Sequence, residues 1–452
     1  MHIHFIAIGG AVMHNLAIAL HSKGFKVTGS DDEIFEPSRS RLARHGLLPE
    51  KWGWYPEKIH PDLDGVILGM HARNDNPELI RARELGTKIW SFPEYLFEHT
   101  KDKFRIVVAG SHGKTTITSM IMHALRHEGI AFDYMVGSKL EGFDTMVGLS
   151  QDSKIAVFEG DEYLTSPLDP RPKFIHYKPH LTLISGIAWD HMNVFPQYQG
   201  YKKQFLELSK LTNKEGEIFY FSGDEELNLL MESDEIFARK TPYHSLPYTI
   251  QNDHTIVHYA GKSWQTSLIG RYNVENMTGA MHLCERLGLQ PERFLSAMET
   301  FKGAAKRQEK IFENEQIKVF QDFAHAPSKV KATVEGFKER YPDSRLVAFL
   351  ELHTFSSLNK DFIPQYSKSM DKADEAFVYF SPEVVKHKKL PELQPEFIEE
   401  CFRKPGLKVL TDAPMLKKLL QEKSRQENAL ILIMSSGNLG GIKTDEILKR
   451  ET

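Results

Sequence analysis

Residues 106–116 read IVVAGSHGKTT, and this stretch decides the fold. The apolar run at 106–109 predicts a buried strand, and apolar residues at helical spacing after it predict a helix that stops near Gly129. Glycines let successive N–H groups point inward at phosphate oxygens, and the start of a helix adds the positive end of its dipole. The stretch therefore predicts a nucleotide-phosphate site in the loop between strand and helix, made of Gly110, Ser111, His112, Gly113, Lys114, Thr115 and Thr116.

Two residues of this loop suit the chemistry of a nucleoside triphosphate. Lys114 can neutralise the β- and γ-phosphates, and the Thr115 hydroxyl can hold Mg²⁺. A strict Walker A pattern would have a glycine where Val108 stands. A Gly-Lys-Thr sequence can also be a chance turn, but the strand–loop–helix context favours the nucleotide site.

Strand and helix patterns alternate along the whole chain, which predicts an α/β protein with parallel sheets. Three segments begin with a buried-strand pattern, and they divide the 452 residues into 1–100, 101–309 and 310–452. We expect strands at 3–8, 26–28, 65–68 and 88–90, at 106–109, 155–158 and 181–187, and at 318–320, 346–350, 376–380, 408–410 and 429–434.

Composition excludes some classes of partner. The net charge of -4 gives no electrostatic case for nucleic acid or for anionic membranes. Cys284 and Cys401 form neither a disulfide framework nor a zinc cluster, which favours a reducing cytosol. We expect no leader sequence, because the first residues run into an apolar strand without a basic start or a cleavage site, and no apolar run in the sequence reaches membrane length. We therefore expect a cytoplasmic protein, monomeric or weakly dimeric, with small-molecule substrates.

Acidic residues and a histidine follow two of the predicted strands. Glu159, Asp161 and Glu162 follow the strand at 155–158, and His191 follows the strand at 181–187. Because ligands bind beyond the carboxyl ends of parallel strands, we expect Glu159 and His191 at the crevice of the phosphate loop. Glu159 is favoured as a Mg²⁺ ligand. Asp161 and Glu162 equally suit a solvated strand end, and a lone histidine is more often structural than functional.

Five ordered motifs together resemble the Mur ligase family. They cover nearly the whole chain and lie at 110–116, 159–162, 190–192, 270–276 and 322–325. The N-terminal sequences HFIAIGG and GSD look like a domain that binds a UDP-linked muramic acid. The resemblance implies a Rossmann-like UDP-N-acetylmuramate domain at 1–100, a central P-loop-type ATPase domain at 101–309, and a Rossmann-like domain for the amine or peptide substrate at 310–452.

The resemblance also implies a reaction and assigns residues to it. Such enzymes use ATP and Mg²⁺ to phosphorylate the muramoyl carboxylate, and an incoming amine then attacks the acyl phosphate. The implied catalytic residues are Lys114 and Arg307 at the ATP phosphates, Glu159, which with Thr115 would hold one Mg²⁺, and His191, which would hold a second. The remaining ATP contacts implied are Asn273 and Asn276 near the adenine, and Asp322 and His325 closing over the nucleotide.

Two further substrate sites follow from the same resemblance. The UDP-sugar would contact Gly9, Gly10, Ser30, Asp31 and His71, and the amine substrate would contact His353, Ser435 and Asn438. Asp31 could equally cap a helix, and Gly9-Gly10 could be a plain tight turn. An NAD site is disfavoured because residues 11–13 contain no glycine to complete G-x-G-x-x-G.

Within the muramate-using branch, the chain looks more like the ligase that recycles the tripeptide L-Ala-γ-D-Glu-meso-diaminopimelate than like the ligase that adds L-alanine. The resembling stretches are 161–179 and 434–442. Ala326 stands where the family often has a second histidine, and His353 where related recycling enzymes have arginine. No carbamylated lysine is expected, since Leu206 falls near that position. A polyglutamate ligase, a GTP-binding switch and an oxidoreductase are weaker alternatives.

Overall fold

The computed structural model describes residues 1–70 and 72–443. They form two compact units. The first contains Met1–Ile187, Lys202–Tyr243 and Gly279–Pro291, and the second contains Ala188–Tyr201, His244–Thr278 and the segment that begins at Glu292.

The N-terminal part of the first unit is a four-stranded parallel sheet with helices between its strands. Its elements are β1 (His2–Ile6), α1 (Met13–Ser22), β2 (Lys26–Ser30), α2 (Ser38–Arg44), β3 (Gly65–Leu68), α3 (Pro77–Glu84), β4 (Ile89–Ser91) and α4 (Phe92–Thr100). The strand order β2-β1-β3-β4 places β1 in the interior of the sheet. Ser91 caps α4 reciprocally with Glu94, so the last helix begins where the sequence supplies a capping box.

The rest of the first unit is built on a seven-stranded sheet in the order β13-β12-β11-β5-β8-β6-β7. Its elements, with a separate two-stranded ribbon of β9 and β10, are β5 (Phe104–Ala109), α5 (Lys114–His127), β6 (Asp133–Met135), β7 (Val147–Gly148), β8 (Ile155–Glu159), β9 (Leu164–Ser166), β10 (Asp169–Pro172), β11 (Leu181–Ile184), α6 (Tyr198–Leu211), β12 (Glu217–Phe221), α7 (Glu225–Met231) and β13 (Arg239–Tyr243). Both neighbours of β5, β11 and β8, run parallel to it. The chain therefore leaves all three strands at the same edge of the sheet.

The second unit contains a small antiparallel sheet in the order β14-β15-β16. Its strands are β14 (Tyr248–Gln251), β15 (His254–Tyr259) and β16 (Lys262–Thr266). The helices that follow are α8 (Arg271–Arg286), whose residues from Gly279 onward belong to the first unit, and α9 (Pro291–Met298). The buried guanidinium of Arg340 joins this sheet to the C-terminal part of the unit, because its Nη atoms donate to the carbonyl oxygen of Asp253 and to Thr255 Oγ1, both at 2.6 Å.

A six-stranded sheet in the order β17-β18-β22-β19-β20-β21 forms the C-terminal part. Its elements are β17 (Glu309–Glu313), β18 (Ile317–Asp322), α10 (Pro327–Arg340), β19 (Arg345–Glu351), β20 (Glu375–Tyr379), α11 (Pro382–His387), α12 (Pro395–Phe402), β21 (Lys408–Leu410), α13 (Ala413–Lys423) and β22 (Ala429–Met434). Every residue of β22 is buried, as expected of an interior parallel strand covered on both faces. Among the described residues of this sheet, β17 pairs antiparallel with β18 and the other pairs are parallel.

The α/β fold predicted from the sequence is confirmed, and so is the stop of α5, which Gly129 follows with φ +69°. Three strand predictions need correction. β1 ends at Ile6 rather than 8, β11 ends at Ile184 rather than 187, and Glu159 is the last residue of β8 rather than the first residue after it. The sequence patterns predicted none of β6, β7, β9, β10 and β12 to β17. Among the described residues, no helix combines the length and apolarity needed to span a membrane.

Candidate active site

The phosphate loop has the conformation that the sequence pattern predicts. It leaves β5 at Gly110, and α5 begins at Lys114 directly after Gly113, whose φ of +79° favours glycine. Gly110 also has a positive φ, and a Cβ there would lie 2.4 Å from Ser185 Oγ and 2.9 Å from Ser185 N. Only glycine fits this position because the chain leaving β11 passes so close.

The loop after β11 also holds the phosphate loop in place. Ser111 N donates to Gly186 O at 2.9 Å, and Ser185 Oγ donates to His112 O. Ile187 N donates to the Asp224 carboxylate at 2.7 Å, which anchors the end of that segment. Thr116 is half-buried in the first turn of α5. Hydrogen bonds within the protein therefore hold the loop in this shape.

Thr115 and Glu159 lie together, as the order of strands β5 and β8 requires. Thr115 Oγ1 donates to Glu159 Oε1 at 2.8 Å, and Gly137 N donates to Oε2 at 2.6 Å. A Cβ on Gly137 would lie 2.9 Å from Glu159 Oε1, so the carboxylate needs a glycine beside it. Both side chains are buried. A hydroxyl and a carboxylate in this position are the hard oxygen ligands that Mg²⁺ prefers, so the residues present fit that ion.

Lys114 and Glu162 form a buried ion pair. Lys114 Nζ lies 2.9 Å from Glu162 Oε1 and 2.8 Å from Oε2, and it donates to Gly110 O at 2.7 Å. Burial alone would lower the pKa of Lys114, but the adjacent Glu162 carboxylate, helped by Asp161 and Glu159, raises it. Asp161 pairs instead with Lys173 at 2.5 Å. The two acids that the sequence left open therefore have different partners.

In the second unit, Gln308 connects the residues predicted for adenine and nucleotide contacts. Its Oε1 accepts from Asn273 Nδ2 at 2.8 Å, and its backbone N–H donates to Asp322 Oδ2 at 2.8 Å. Asn276 Nδ2 lies 3.4 Å from Asn273 Oδ1. Gln308 has φ +50°, and its Nε2 also donates to Tyr272 Oη at 2.5 Å. Asn273, Asn276 and Asp322 thus belong to one hydrogen-bonded group.

Arg307 and His325 flank this group through Phe323. The Arg307 guanidinium lies 4.4 Å from the centre of the Phe323 ring, and His325 Nδ1 lies 2.9 Å from Phe323 O. Burial raises the pKa of Asp322, although the nearby Arg307 opposes the change. Burial also lowers the pKa of His325 to about 4, and the cationic Lys329 adds to the effect. His325 is therefore a neutral imidazole at pH 7.

His191 belongs to the second unit as well. Its backbone has φ +56°, and its N–H donates to the Asp190 carboxylate at 2.7 Å. Met192 N donates to Ser356 Oγ at 3.2 Å, and its side chain packs on the apolar core of the C-terminal sheet. The second-metal role of His191 and the phosphate role of Arg307 stay predictions from the resemblance.

The predicted UDP-sugar residues meet at the carboxyl ends of β1 and β2. Gly9 N donates to Asp31 Oδ2 at 2.7 Å, and Ser30 Oγ accepts from Lys58 Nζ at 3.1 Å. Gly10 follows, and its carbonyl oxygen accepts from His14 N at 3.0 Å. Burial raises the pKa of Asp31 to about 6, together with the neighbouring Asp32 carboxylate. His71, predicted for the same site, lies outside the described residues.

The residues predicted for the amine substrate surround a buried carboxylate at the carboxyl end of β19. Glu351 Oε2 accepts from Ser435 Oγ and, at 3.0 Å, from Leu439 N. His353 Nδ1 lies 3.8 Å from Glu351 Oε1. Asn438 is exposed, and its carbonyl oxygen accepts from Gly441 N at 2.9 Å. His353 and Ser435 are thus brought together through Glu351, whereas the Asn438 side chain faces solvent.

Sequence reasoning missed three residues that organise these sites, namely Gln308, Glu351 and Lys58. Gln308 directly follows Arg307, so the motif around Arg307 was its only signal. Glu351 ends the apolar run of β19, where a carboxylate at the end of a parallel strand suggests a ligand site. Lys58 carried no signal, because its contact Ser30 lies 28 residues away in the sequence, on the other side of α2 along the chain.

Comparisons with known proteins show which family the chain belongs to. The family model of the Mur ligase middle domain matches residues 108–284, and that of the Mur ligase family catalytic domain matches residues 2–104. A UDP-N-acetylmuramate–L-alanyl-γ-D-glutamyl-meso-2,6-diaminoheptandioate ligase of Haemophilus influenzae is 27% identical over 458 residues, covering 98% of this chain and 97% of the relative. A UDP-N-acetylmuramate–L-alanine ligase of Desulfitobacterium hafniense is 28% identical over 394 residues, covering 84% of each.

A solved structure shares the fold. The crystal structure of a murein peptide ligase from Psychrobacter arcticus superposes with a TM-score of 0.66 and covers 99% of this chain and 98% of that one, at 23% identity. Together the two family models match more than half of the chain. The chain therefore belongs to the Mur ligase family and is an ATP-dependent amide ligase.

Proposed function

We propose that the protein joins UDP-N-acetylmuramate to the tripeptide L-Ala-γ-D-Glu-meso-diaminopimelate. The observations that support this choice are the stretches 161–179 and 434–442, which resemble the tripeptide ligase, and the matches to the tripeptide ligases of Haemophilus influenzae and Escherichia coli, each along 98% of the chain. L-alanine ligases match at a similar identity, one of them also along 98% of the chain, so L-alanine is the second candidate amine.

The reaction proceeds in two steps in this proposal. A carboxylate oxygen of the muramoyl group attacks the γ-phosphorus of ATP, and ADP leaves. The uncharged amine of the tripeptide then attacks the carbonyl carbon, phosphate leaves, and the nitrogen loses a proton. Phosphoryl transfer of this kind depends mainly on positioning and charge neutralisation, and the acyl phosphate must be kept from water.

The phosphate loop supplies the positioning in the first step. Its N–H groups and the N-terminus of α5 bind the phosphates of ATP, and the Lys114 ammonium neutralises their charge. Thr115 and Glu159 would hold Mg²⁺, which screens the charge of the transferring group. Gly9, Ser30 and Asp31 bind the UDP-sugar in this proposal, and the turn at 435–441 binds the amine substrate.

A cytoplasmic location is also part of the proposal. UDP-linked muramic acid and ATP are its substrates, and both described cysteines are free thiols. Free thiols are the usual state in a reducing compartment.

The test is ATP-dependent phosphate release with UDP-N-acetylmuramate and Mg²⁺, comparing the tripeptide with L-alanine, followed by mass spectrometry of the product. We expect turnover with the tripeptide and a product mass equal to the sum of both substrates less one water. Turnover with L-alanine and none with tripeptide would move the protein to the alanine-adding step. The matched control is Lys114→Met, which we expect to release no phosphate with either amine.

A further inference from the structure

Glu351 is a buried carboxylate, and the protein gives a hydrogen-bond donor to only one of its two oxygens. Its side chain is 3% exposed, and Oε2 accepts from Ser435 Oγ and from Leu439 N. Oε1 accepts no hydrogen bond from any residue that the structure describes, and His353 Nδ1 lies 3.8 Å from it. A carboxylate removed from water is costly unless donors or a cation face both oxygens, so Oε1 needs a partner from outside the described chain.

The cations of the protein also leave this carboxylate alone. Among the described residues, no lysine or arginine side chain pairs with Glu351. Glu375 on the neighbouring strand β20 differs, because it pairs with Arg345 at 2.7 Å and with Lys423 at 2.8 Å. The charge of Glu351 therefore favours a cationic ligand and disfavours a second carboxylate beside it.

The turn at 435–441 packs closely against Glu351 and His353. A Cβ on Gly437 would lie 2.8 Å from Glu351 Oε2 and 2.6 Å from His353 Cγ, so only glycine fits there. The Ser436 hydroxyl oxygen in the same turn is buried and has no hydrogen-bond partner in the part of the chain that the structure describes. Two polar atoms without partners, Glu351 Oε1 and Ser436 Oγ, thus belong to this turn and to the carboxylate that holds it. Buried polar groups normally have partners, and here a ligand can provide them.

We propose that Glu351 binds a primary ammonium group of the peptide substrate through Oε1, and that Ser436 Oγ contacts the same peptide. The inference deepens the proposed function and rests on it, because it takes the turn at 435–441 as the amine-substrate site. An ammonium has three N–H donors and a positive charge, so it provides both the hydrogen bond and the counter-charge that Oε1 lacks. The tripeptide carries two such groups, the N-terminal amine of L-alanine and the side-chain amine of diaminopimelate. Glu351 binds the charged form, so at the N-terminus this contact precedes the loss of a proton and the attack on the acyl phosphate.

A comparison of ligands separates this contact from the role of Glu351 in holding the turn. Glu351→Gln weakens the hydrogen bonds to the turn, and a looser turn lowers the affinity for every peptide by the same factor. A direct contact with an ammonium affects only the peptide that carries this ammonium. The ratio of the dissociation constants of two peptides, one with and one without the amine, therefore measures the direct contact.

The experiment is calorimetric titration of the full-length protein in the presence of UDP-N-acetylmuramate, Mg²⁺ and the non-hydrolysable ATP analogue AMP-PNP, so that peptides bind without reacting. The tripeptide is compared with an analogue that has propionyl in place of L-alanine and with one that has 2-aminopimelate in place of diaminopimelate. For the wild type, we expect removal of one of the two amines to weaken binding roughly 30-fold, the scale of a hydrogen bond between charged groups. The analogue that loses affinity identifies which amine Glu351 binds.

The variants then assign this loss to Glu351. In Glu351→Gln, removal of the same amine should weaken binding no more than about fivefold, because only a neutral oxygen remains. The control Glu375→Gln replaces a carboxylate elsewhere in the sheet and should keep the wild-type ratio. Ser436→Ala removes a hydroxyl that has no partner among the described residues, so it should fold as the wild type does and bind the tripeptide about threefold more weakly.

Equal affinity of the wild type for all three peptides would overturn the proposal, and this result needs no variant to fold. The wild-type ratio in Glu351→Gln would also overturn it, since the amine would then contact another group. Unchanged tripeptide affinity in Ser436→Ala would overturn the placement of the peptide at this turn. Absence of tripeptide binding to the wild type would instead overturn the proposed function, which the other three results leave standing.

Discussion

Replacing Glu351 by glutamine tests whether the turn at 435–441 binds the amine substrate. Glu351 is almost completely buried and accepts two hydrogen bonds from that turn, from Ser435 Oγ and from Leu439 N. Glutamine keeps the shape and one acceptor oxygen, but it removes the charge. The turn would then be held by neutral hydrogen bonds in place of charge-assisted ones.

The size of the effect follows from those two bonds. A hydrogen bond to a charged group contributes about 1 kcal/mol more than a neutral one, so two bonds amount to about 2 kcal/mol. If the turn positions the amine, the KM of Glu351→Gln for the amine should be roughly 30-fold above that of the wild type, since about 1.4 kcal/mol corresponds to a factor of ten. The KM values for ATP and UDP-N-acetylmuramate should change less than about twofold, because Glu351 contacts neither proposed site.

The assay is steady-state kinetics with each substrate varied in turn. A control variant, with a carboxylate replaced elsewhere in the same sheet, is assayed in the same way. Glu375 lies at the amino end of β20, the strand next to β19, and pairs with Lys423 at 2.8 Å and Arg345 at 2.7 Å. Glu375→Gln should lower stability and leave the amine KM unchanged. The reasoning is refuted if Glu351→Gln also leaves that KM unchanged, or if it raises all three KM values equally.

Three further substitutions test other parts of the structure. In Gly110→Ala, the Cβ would lie 2.9 Å from the backbone N of Ser185, and residue 110 has a φ of +130°. We therefore expect the unfolding free energy, measured by urea denaturation, to fall by more than about 2 kcal/mol. We also expect weaker ATP binding, measured by calorimetry. Asp31→Asn should become more stable relative to wild type as pH rises from about 4 to 6.5. The reason is that the pKa of Asp31 is about 6 in the folded protein, above its ordinary value of 3.8. The folded wild type therefore loses stability as pH rises through this range, whereas the variant does not. Thermal melts of both proteins at each pH measure the difference. Arg340→Met should cost about 3 kcal/mol of unfolding free energy, since it leaves the Thr255 hydroxyl and two carbonyl oxygens without a buried cationic donor.

Each of these expectations has an opposing result. A Gly110→Ala protein with wild-type stability and ATP affinity would mean that the loop can move away from Ser185. A constant difference in melting temperature between Asp31→Asn and wild type across the pH range would show that Asp31 has an ordinary pKa when folded. If Arg340→Met has the same unfolding free energy in urea as the wild type, the small sheet does not need this contact.

The phosphate loop was predictable because its signal is local. An apolar strand, two glycines and a helical pattern occupy consecutive residues, and each element has the conformation that its own sequence favours. The approach of Glu159 to Thr115 was also predictable, although 44 residues separate them. Parallel strands align their carboxyl ends, so an acid at the end of one strand lies near a loop that follows its neighbour.

The small antiparallel sheet was not predictable from the same patterns. Strand β14 alternates half-buried and exposed residues and has no fully buried position, so it gives no apolar signal. Strand β16 contains only two buried residues, Trp264 and Thr266. Short polar strands of this kind are specified by their neighbours in the fold rather than by their own composition.

The partners of Gln308 and Glu351 were hidden for a different reason. Gln308 contacts Asn273, 35 residues away, and Glu351 contacts Ser435, 84 residues away. Neither distance in sequence corresponds to a motif or to a repeat of any secondary structure. Such pairs depend on how whole elements are arranged, and one sequence shows only that a polar residue ends an apolar run.

The most direct test of the account follows oxygen from the muramoyl carboxylate. UDP-N-acetylmuramate labelled with ¹⁸O in that carboxylate is incubated with the protein, ATP, Mg²⁺ and the tripeptide, and the released phosphate is analysed by mass spectrometry. Activation as an acyl phosphate predicts one ¹⁸O atom in each phosphate released, and no phosphate from Lys114→Met. Unlabelled phosphate formed at the rate of ligation would contradict the account, because the carboxylate would then not be the group that ATP phosphorylates.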